Sequence, residues 1–280
     1  MRSATNFEST HNFASKYVKY QVRHEIFSYG VSSQKLQESK LIPEELQQAE
    51  FFLGFWNDYD AYPLHGMING DETAINFDMP PTKIWAVRGR KGSTKISQYT
   101  KHYGRLTAVL PIRADGGKLL ILFILRGMPG GVIERDELPG YPPDHFYVVQ
   151  ENGWMDSVGW EFYVKIILKY AIDSPSLLLL DNFGSHVSEE GQRVVAEEAS
   201  TTVVPLPANI TSVCQSLDVG VMGPLKSTIR SMYDEKKLGK TVREKRRHAV
   251  KTTIAAWNEI DEEVINRSFE KAIPRYPEMF

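Results

Sequence analysis

Five consecutive residues, Ser176 to Leu180 (SLLLL), constrain this chain more than any others. Four leucines in a row show no alternation of polar and apolar positions. A strand made of them must be covered on both faces, which puts it at the centre of a sheet with helices on either side. Asp181 follows directly, so an acid stands at the carboxyl end of that strand.

The neighbouring segments supply the rest of such a sheet. Met67–Phe77, Leu106–Arg113 and Lys118–Arg126 read as strands, with Asp115-Gly116-Gly117 as the hairpin turn between the last two. Gly127–Asp144 has eight Gly or Pro among 18 residues and reads as a loop. Ser157–Ile172 has apolar residues at helical spacing. Ser188–Ser200 reads as a helix and Thr202–Leu206 as another strand. Leu217–Tyr233, Thr241–Ile260 and Asp261–Ala272 are expected to be helical. Before the sheet, Glu44–Asn57 reads as a helix with Pro43 at its first turn, and Asn12–Ile26 as a short one. This order predicts an α/β fold, an RNase H-like mixed sheet flanked by helices. A Rossmann sheet is the rival, but no G-x-G-x-x-G follows a strand, and GRKGST at 89–94 lacks P-loop spacing.

The net charge of −2 argues against a nucleic-acid partner only as an average. Lys83–Arg105 and Lys226–Lys251 together hold 17 basic and 3 acidic residues, a net +14 against −16 for the remainder. The single cysteine, Cys214, excludes an intrachain disulfide and a multi-cysteine zinc site. It reads as a small buried residue. No apolar run approaches the ~20 residues of a membrane helix. The opening MRSATNFEST has no apolar stretch like that of a signal peptide.

Three aspartates stand out by position. Asp71 lies in the first core strand, Asp181 ends a central one, and Asp218 opens a predicted helix. Neighbouring strand ends converge, so Asp71 and Asp181 can share a cation, with Asp218 closing the site. Oxygen-only acidic sites suit Mg²⁺. Each aspartate also fits a cap or a turn.

Their context resembles the DDE endonuclease domain of pogo/Tigger-type transposases, the group that includes centromere protein B. Asn69–Thr73 (NGDET), Leu180–His186 (LDNFGSH) and Pro205–Lys226 (PLPANITSVCQSLDVGVMGPLK) look like the family's three acid motifs. Gly153–Ser157 (GWMDS) and Ala256–Ile273 (AWNEIDEEVINRSFEKAI) resemble further family segments. Asp181 and Asp218 are separated by 36 residues, within the family's range. Gln215-Ser216-Leu217-Asp218 departs from the common Gln-Pro-Leu-Asp. The resemblance implies a DDE transposase catalytic core over 42–275, a remnant of a DNA-binding module or a linker over 1–41, and a tail over 276–280.

It also implies metal-dependent DNA cleavage and strand transfer. Asp71, Asp181 and Asp218 would be catalytic and would hold two Mg²⁺ or Mn²⁺ ions. The alternative is a domesticated, non-catalytic DNA- or chromatin-binding protein. Glu72 is expected on the opposite strand face from Asp71. Asn182, His186 and Gln215 are candidates to support the ligands. Lys83, Arg88, Arg90, Lys91, Lys95, Lys101, Arg105, Lys226 and Arg230 are the expected DNA contacts. The run Arg243–Arg247 also reads as a nuclear-localisation patch. The expected partner is DNA, with a homo-oligomer left open and no membrane; the expected compartment is the nucleus.

Overall fold

The computed structural model describes residues 42–77, 104–181, 188–208, 210–233, 239 and 241–275. The expected helix at 12–26, the six cations from Lys83 to Lys101, Asn182, His186 and the 276–280 tail lie outside the described residues.

The chain divides into two compact units, Met1–Ala61 with Ile273–Phe280, and Tyr62–Ala272. In the first, helix α1 (Ile42–Tyr59) carries Pro43 in its opening turn. Its Trp56 indole donates to the carbonyls of Ile273 (3.3 Å) and Pro274 (3.1 Å). Arg275 lies 5.0 Å over the Trp56 ring and pairs with Asp60.

The second unit holds a six-stranded sheet. Its strands are β1 (Met67–Asn76), β2 (Arg105–Arg113), β3 (Leu122–Arg126), β4 (Phe146–Gln150), β5 (Ser176–Leu180) and β6 (Thr201–Pro205). Their spatial order is β4-β3-β2-β1-β5-β6. The β1–β2 and β2–β3 pairs are antiparallel; β3–β4, β1–β5 and β5–β6 are parallel. The apolar run is β5, buried at every position between β1 and β6. Pro205 sits on the edge strand β6, where its missing N–H does least harm. β4 is the strand that sequence periodicity misses. The Gly/Pro-rich segment before it contains a π-helical turn, Ile133–Glu137, and a 3₁₀ turn, Leu138–Gly140.

The helices cover both faces. Helix α2 runs through Ser157–Phe162, a π-helical stretch Tyr163–Leu168 and Lys169–Ala171. Helix α3 is Glu189–Ala199. Trp160, Tyr163, Val164 and Ile167 of α2 and Val195 of α3 pack with Ile68, Val109, Leu122, Ile124, Leu178 and Leu180. Alternation sends the intervening strand residues to the other face. There Leu110, Ile112, Phe123, Leu177 and Leu179 are also buried. That side belongs to α4 (Thr211–Cys214), a π-helical turn Leu217–Val221, α5 (Met222–Ser231), α6 (Val242–Asn258) and α7 (Glu262–Ala272).

Side chains fix where these helices begin and end. Asp156 accepts the Gly159 amide at 2.8 Å, and Ser188 accepts the Gly191 amide at 3.1 Å. Thr241 and Glu244 form a reciprocal capping box on α6. Lys118, from the β2–β3 connection, donates to the carbonyls of Trp257 (2.8 Å) and Ile260 (2.7 Å) at the far end of α6. A cation there complements the negative end of the helix dipole. The turn before Lys118 uses Gly116 at φ +92°, and the Asp115 carboxylate accepts the Gly117 amide at 2.9 Å.

Helix α6 changes the reading of its basic run. Arg246 pairs with Glu137 at 2.6 Å, with both side chains almost fully enclosed. Arg243 donates to the Asp136 carbonyl at 2.7 Å. Two cations of the Arg243–Arg247 run thus tie the helix to the π-helical turn before β4.

Candidate active site

The parallel register places the first two aspartates. Met67, Ile68 and Asn69 pair with Leu177, Leu178 and Leu179, a constant offset of 110. Two residues further on, the same offset sets Asp181 level with Asp71, and paired residues of adjacent strands share a face. The opposite face holds Glu72: Gly70, its neighbour two residues back, approaches Leu178 and Leu180 on the α2 side. The alternation expected for Glu72 is therefore present.

The third aspartate is brought in by a buried polar latch. The Asn69 side-chain oxygen accepts the Leu217 amide at 3.0 Å. Its nitrogen donates to the Leu179 carbonyl at 3.0 Å and reaches Gln215 Oε1 at 3.5 Å. The Gln215 side chain in turn lies close enough to the Asp71 carboxylate to favour its charged form. One asparagine therefore joins β1, β5 and the segment entering the Asp218 turn. Both Asn69 and Gln215 are 1 % exposed. Asn69 stood in the sequence motif without a role. Its signal was its place two residues before Asp71, hence on the same face. Gly220, in the Asp218 turn, has no room for a side chain: a Cβ there would stand 2.6 Å from Cβ of Ser268 on α7.

Electrostatics shows that the three acids share one field. Burial pushes the Asp71 carboxyl up to about 7; the negative charges of Asp218 and, more weakly, Asp181 add to this, while hydrogen bonds from Gln215 and Glu72 oppose it. Asp218 is also raised, by enclosure first and by Asp181, against a lowering pull from Lys226. Lys226 is thus the expected cation that the fold brings to the acids. Among the described residues, no three His, Cys, Asp or Glu side chains are gathered at metal-coordinating geometry. The aspartates feel each other's charge without closing on one point.

A cavity of about 200 Å³ on the α2 side of the sheet, lined by Gly70, Glu72, Trp154, Trp160 and Tyr163, reaches Asp71 and Asp181 at its edge. Arg105 stands exposed at the start of β2, its guanidinium 4.3 Å over the Trp154 ring. Arg230 lies one turn beyond Lys226 on α5 and is half-buried. Cys214 is 1 % exposed, and burial pushes its thiol up to about 12, as suits a packing residue rather than a nucleophile.

A family model described as DDE superfamily endonuclease matches residues 104–269, more than half of the chain. The chain belongs to the DDE superfamily endonucleases. That match takes in Asp181 and Asp218 and begins beyond Asp71. The DDE chain is 27 % identical over 240 residues to the mouse protein "Pogo transposable element with KRAB domain", covering 80 % of this chain and 37 % of that one. The human protein of the same name is 26 % identical over 225 residues, covering 75 % and 35 %. The chain therefore spans about a third of the length of these curated relatives. Among solved structures, it matches the Mos1 transposase paired-end complex with left transposon end (TM-score 0.56, 14 % identity, 82 % of this chain and 59 % of that chain). It matches the Mos1 mariner paired-end complex with Mn equally over the same shares (TM-score 0.57, 14 % identity). At such identity the likeness shows the fold, which is RNase H-like. No helix among the described residues is long and apolar enough to cross a membrane.

Proposed function

We propose that this DDE chain cleaves DNA strands and transfers the freed ends, with Asp71, Asp181 and Asp218 holding two divalent cations, Mg²⁺ or Mn²⁺. The observation that carries this reading is geometric: the β1–β5 register sets Asp71 and Asp181 on one face, and the Asn69–Leu217 bond holds the Asp218 turn beside them. The donor set is oxygen-only, the chemistry that Mg²⁺ prefers. Bringing three like charges together is unfavourable, and a divalent cation offsets it. The Mos1 structures with Mn and with Mg support the choice of ion.

Bound cations would supply positive charge at the phosphate and a lowered pKa for the attacking hydroxyl. This chain's own residues supply position. Asn69 holds the Asp218 turn against the sheet, and Gln215 orients the Asp71 carboxylate. Lys226 is available to a phosphate oxygen beside Asp218, and Arg105 to the backbone of the same strand. Asn182, His186 and the basic residues Lys83, Arg88, Arg90, Lys91, Lys95 and Lys101 stay in this proposal as supporting and DNA-contacting groups. The paired-end complexes of Mos1 support testing a homo-oligomer on DNA, and a DNA substrate supports a nuclear location.

The test is nicking of supercoiled plasmid by the purified chain with Mg²⁺, Mn²⁺ or EDTA. Metal-dependent nicking that is lost in Asp181→Ala supports the reading. Equal plasmid loss in both proteins, or none in either, overturns it. The second reading is a domesticated, non-catalytic DNA-binding protein. DNA binding without nicking, unchanged by Asp→Ala at all three positions, would establish that alternative.

A further inference from the structure

A second cleft, of about 500 Å³, lies at the same end of the sheet as the aspartates. β1 and β3 run in the same direction because each is antiparallel to β2. The end of β1 beyond Asp71, the start of β2 at Arg105 and the end of β3 at Arg126 therefore lie together. The cleft is lined by Arg105, Arg126, Arg246, Asn76, Asn152 and Gly153, among others, and no lining residue is acidic. Arg246 is already neutralised by Glu137. Arg105 and Arg126 are exposed and have no carboxylate partner among the described residues.

The cleft is built rather than incidental. Trp154 supports the Arg105 guanidinium on its ring face, which fixes a planar donor in place. The buried Thr107 hydroxyl donates to the Gly153 carbonyl at 2.8 Å and anchors the loop that forms one wall. Gly153 sits at φ +69°, where a Cβ would press on Arg126 at 3.0 Å. The two free guanidiniums and two asparagine amides then offer donors suited to phosphate oxygens.

The cleft adjoins the aspartate site. Trp154, which carries the Arg105 guanidinium at 4.3 Å, also walls the cavity that reaches Asp71 and Asp181. Asn76 pairs with Arg105, and Asp71 with Leu110, five register positions apart on the same two strands. A DNA backbone that passes the aspartates therefore has both guanidiniums beside it.

We propose that this cleft binds the phosphodiester backbone of the DNA flanking the phosphate at the aspartates, with Arg105 and Arg126 as its anchors. The inference rests on the DNA reading of the aspartate site.

The test is fluorescence anisotropy of the whole 280-residue chain on a labelled 20-base-pair duplex with Mg²⁺, over a salt series. Each of Arg105→Ala and Arg126→Ala should weaken binding several-fold at moderate salt. Each should also flatten the plot of log affinity against log salt by about 0.9. Arg126→Lys should keep the slope, and Trp154→Ala should lower affinity with the slope nearly unchanged. A double Arg105→Ala/Arg126→Ala variant with the native slope, or a native chain without affinity for the duplex, overturns the inference. Thermal melts of the variants, whose arginines are exposed, separate lost contacts from lost folding. A chain that nicks DNA but keeps its slope in the double variant preserves the nuclease reading alone. One whose slope falls in the double variant, yet never nicks, preserves the cleft alone.

Discussion

The Asn69 side-chain oxygen accepts the backbone amide of Leu217 at 3.0 Å, across 148 residues of sequence. The bond holds the residue before Asp218 to the strand that carries Asp71. Asn69→Ala would leave the buried Leu217 amide and Leu179 carbonyl without these partners. A lost buried hydrogen bond of this kind costs about 1–3 kcal/mol. We expect chemical denaturation to show a loss of about 2–3 kcal/mol, and the nicking rate of the folded fraction to fall at least tenfold. Asn69→Asp keeps the acceptor for Leu217 and adds a fourth charge. It should fold better than Asn69→Ala at pH 5 and lose that advantage at pH 8.

Asp71 sets the pH dependence. Its folded carboxyl titrates at about 7, above the ordinary value of 3.8. The folded chain therefore holds a proton that the unfolded chain has released between those values, and this contribution to stability falls as pH rises through that window. Asp71→Asn mimics the protonated acid. It should match the native chain at pH 4 and exceed it in stability at pH 8, by on the order of 2 kcal/mol after solvent screening. Calorimetry at the two pH values checks this. Adding Mg²⁺ at pH 8 should raise the melting temperature of the native chain and leave Asp71→Asn nearly unmoved.

Ser216 stands where the family motif commonly has proline. Its hydroxyl is buried and has no hydrogen-bond partner among the described residues. Its φ of −56° lies within proline's range, and Gln215 before it is extended at ψ 108°. Ser216→Pro should therefore stabilise the chain by about 1 kcal/mol, through a stiffer unfolded state and the removal of an unpaired hydroxyl. A destabilised Ser216→Pro variant in thermal denaturation would show that the Ser216 backbone cannot take the ring.

The Glu137–Arg246 pair is nearly enclosed, and Tyr141 also donates to Glu137 at 3.3 Å. Removing one member of such a pair leaves the other charge buried alone, at a cost of about 3–5 kcal/mol. Glu137→Ala should show that loss in urea denaturation. Replacing both residues, as Glu137→Met with Arg246→Met, should recover most of it.

Sequence reading reached the features that local pattern encodes. An unbroken apolar run means a strand covered on both faces, so β5 and the acid at its end were visible from Leu177 to Asp181. The Asp-Gly-Gly turn and the helices α2 and α3 were visible for the same reason; the caps that start them, Asp156 and Ser188, came from the structure. β4 was not visible, because its five residues follow a Pro-rich stretch and are too few to show a period; their pairing with β3 makes them a strand. Parallel register is set by the packed sheet and by no local residue, so the levelling of Asp71 with Asp181 needed the structure. The same holds for Asn69, whose partner lies 148 residues away. The sequence put Arg105 among the expected DNA contacts and Arg246 in a run read as a nuclear-localisation patch, and could not foresee a buried partner for either. Tertiary packing gives one a buried carboxylate and leaves the other exposed on an indole ring.

Gly220 has a consequence for surveys of related sequences. The turn that presents Asp218 rests against Ser268, at a distance that admits no side chain, and the family match ends one residue later, at 269. A gene copy cut short at residue 260 would keep all three aspartates and all six strands. It would still lose the wall behind the third acid. Counting acids is therefore too weak a criterion for an intact copy; a reading frame that runs through α7 is the better one.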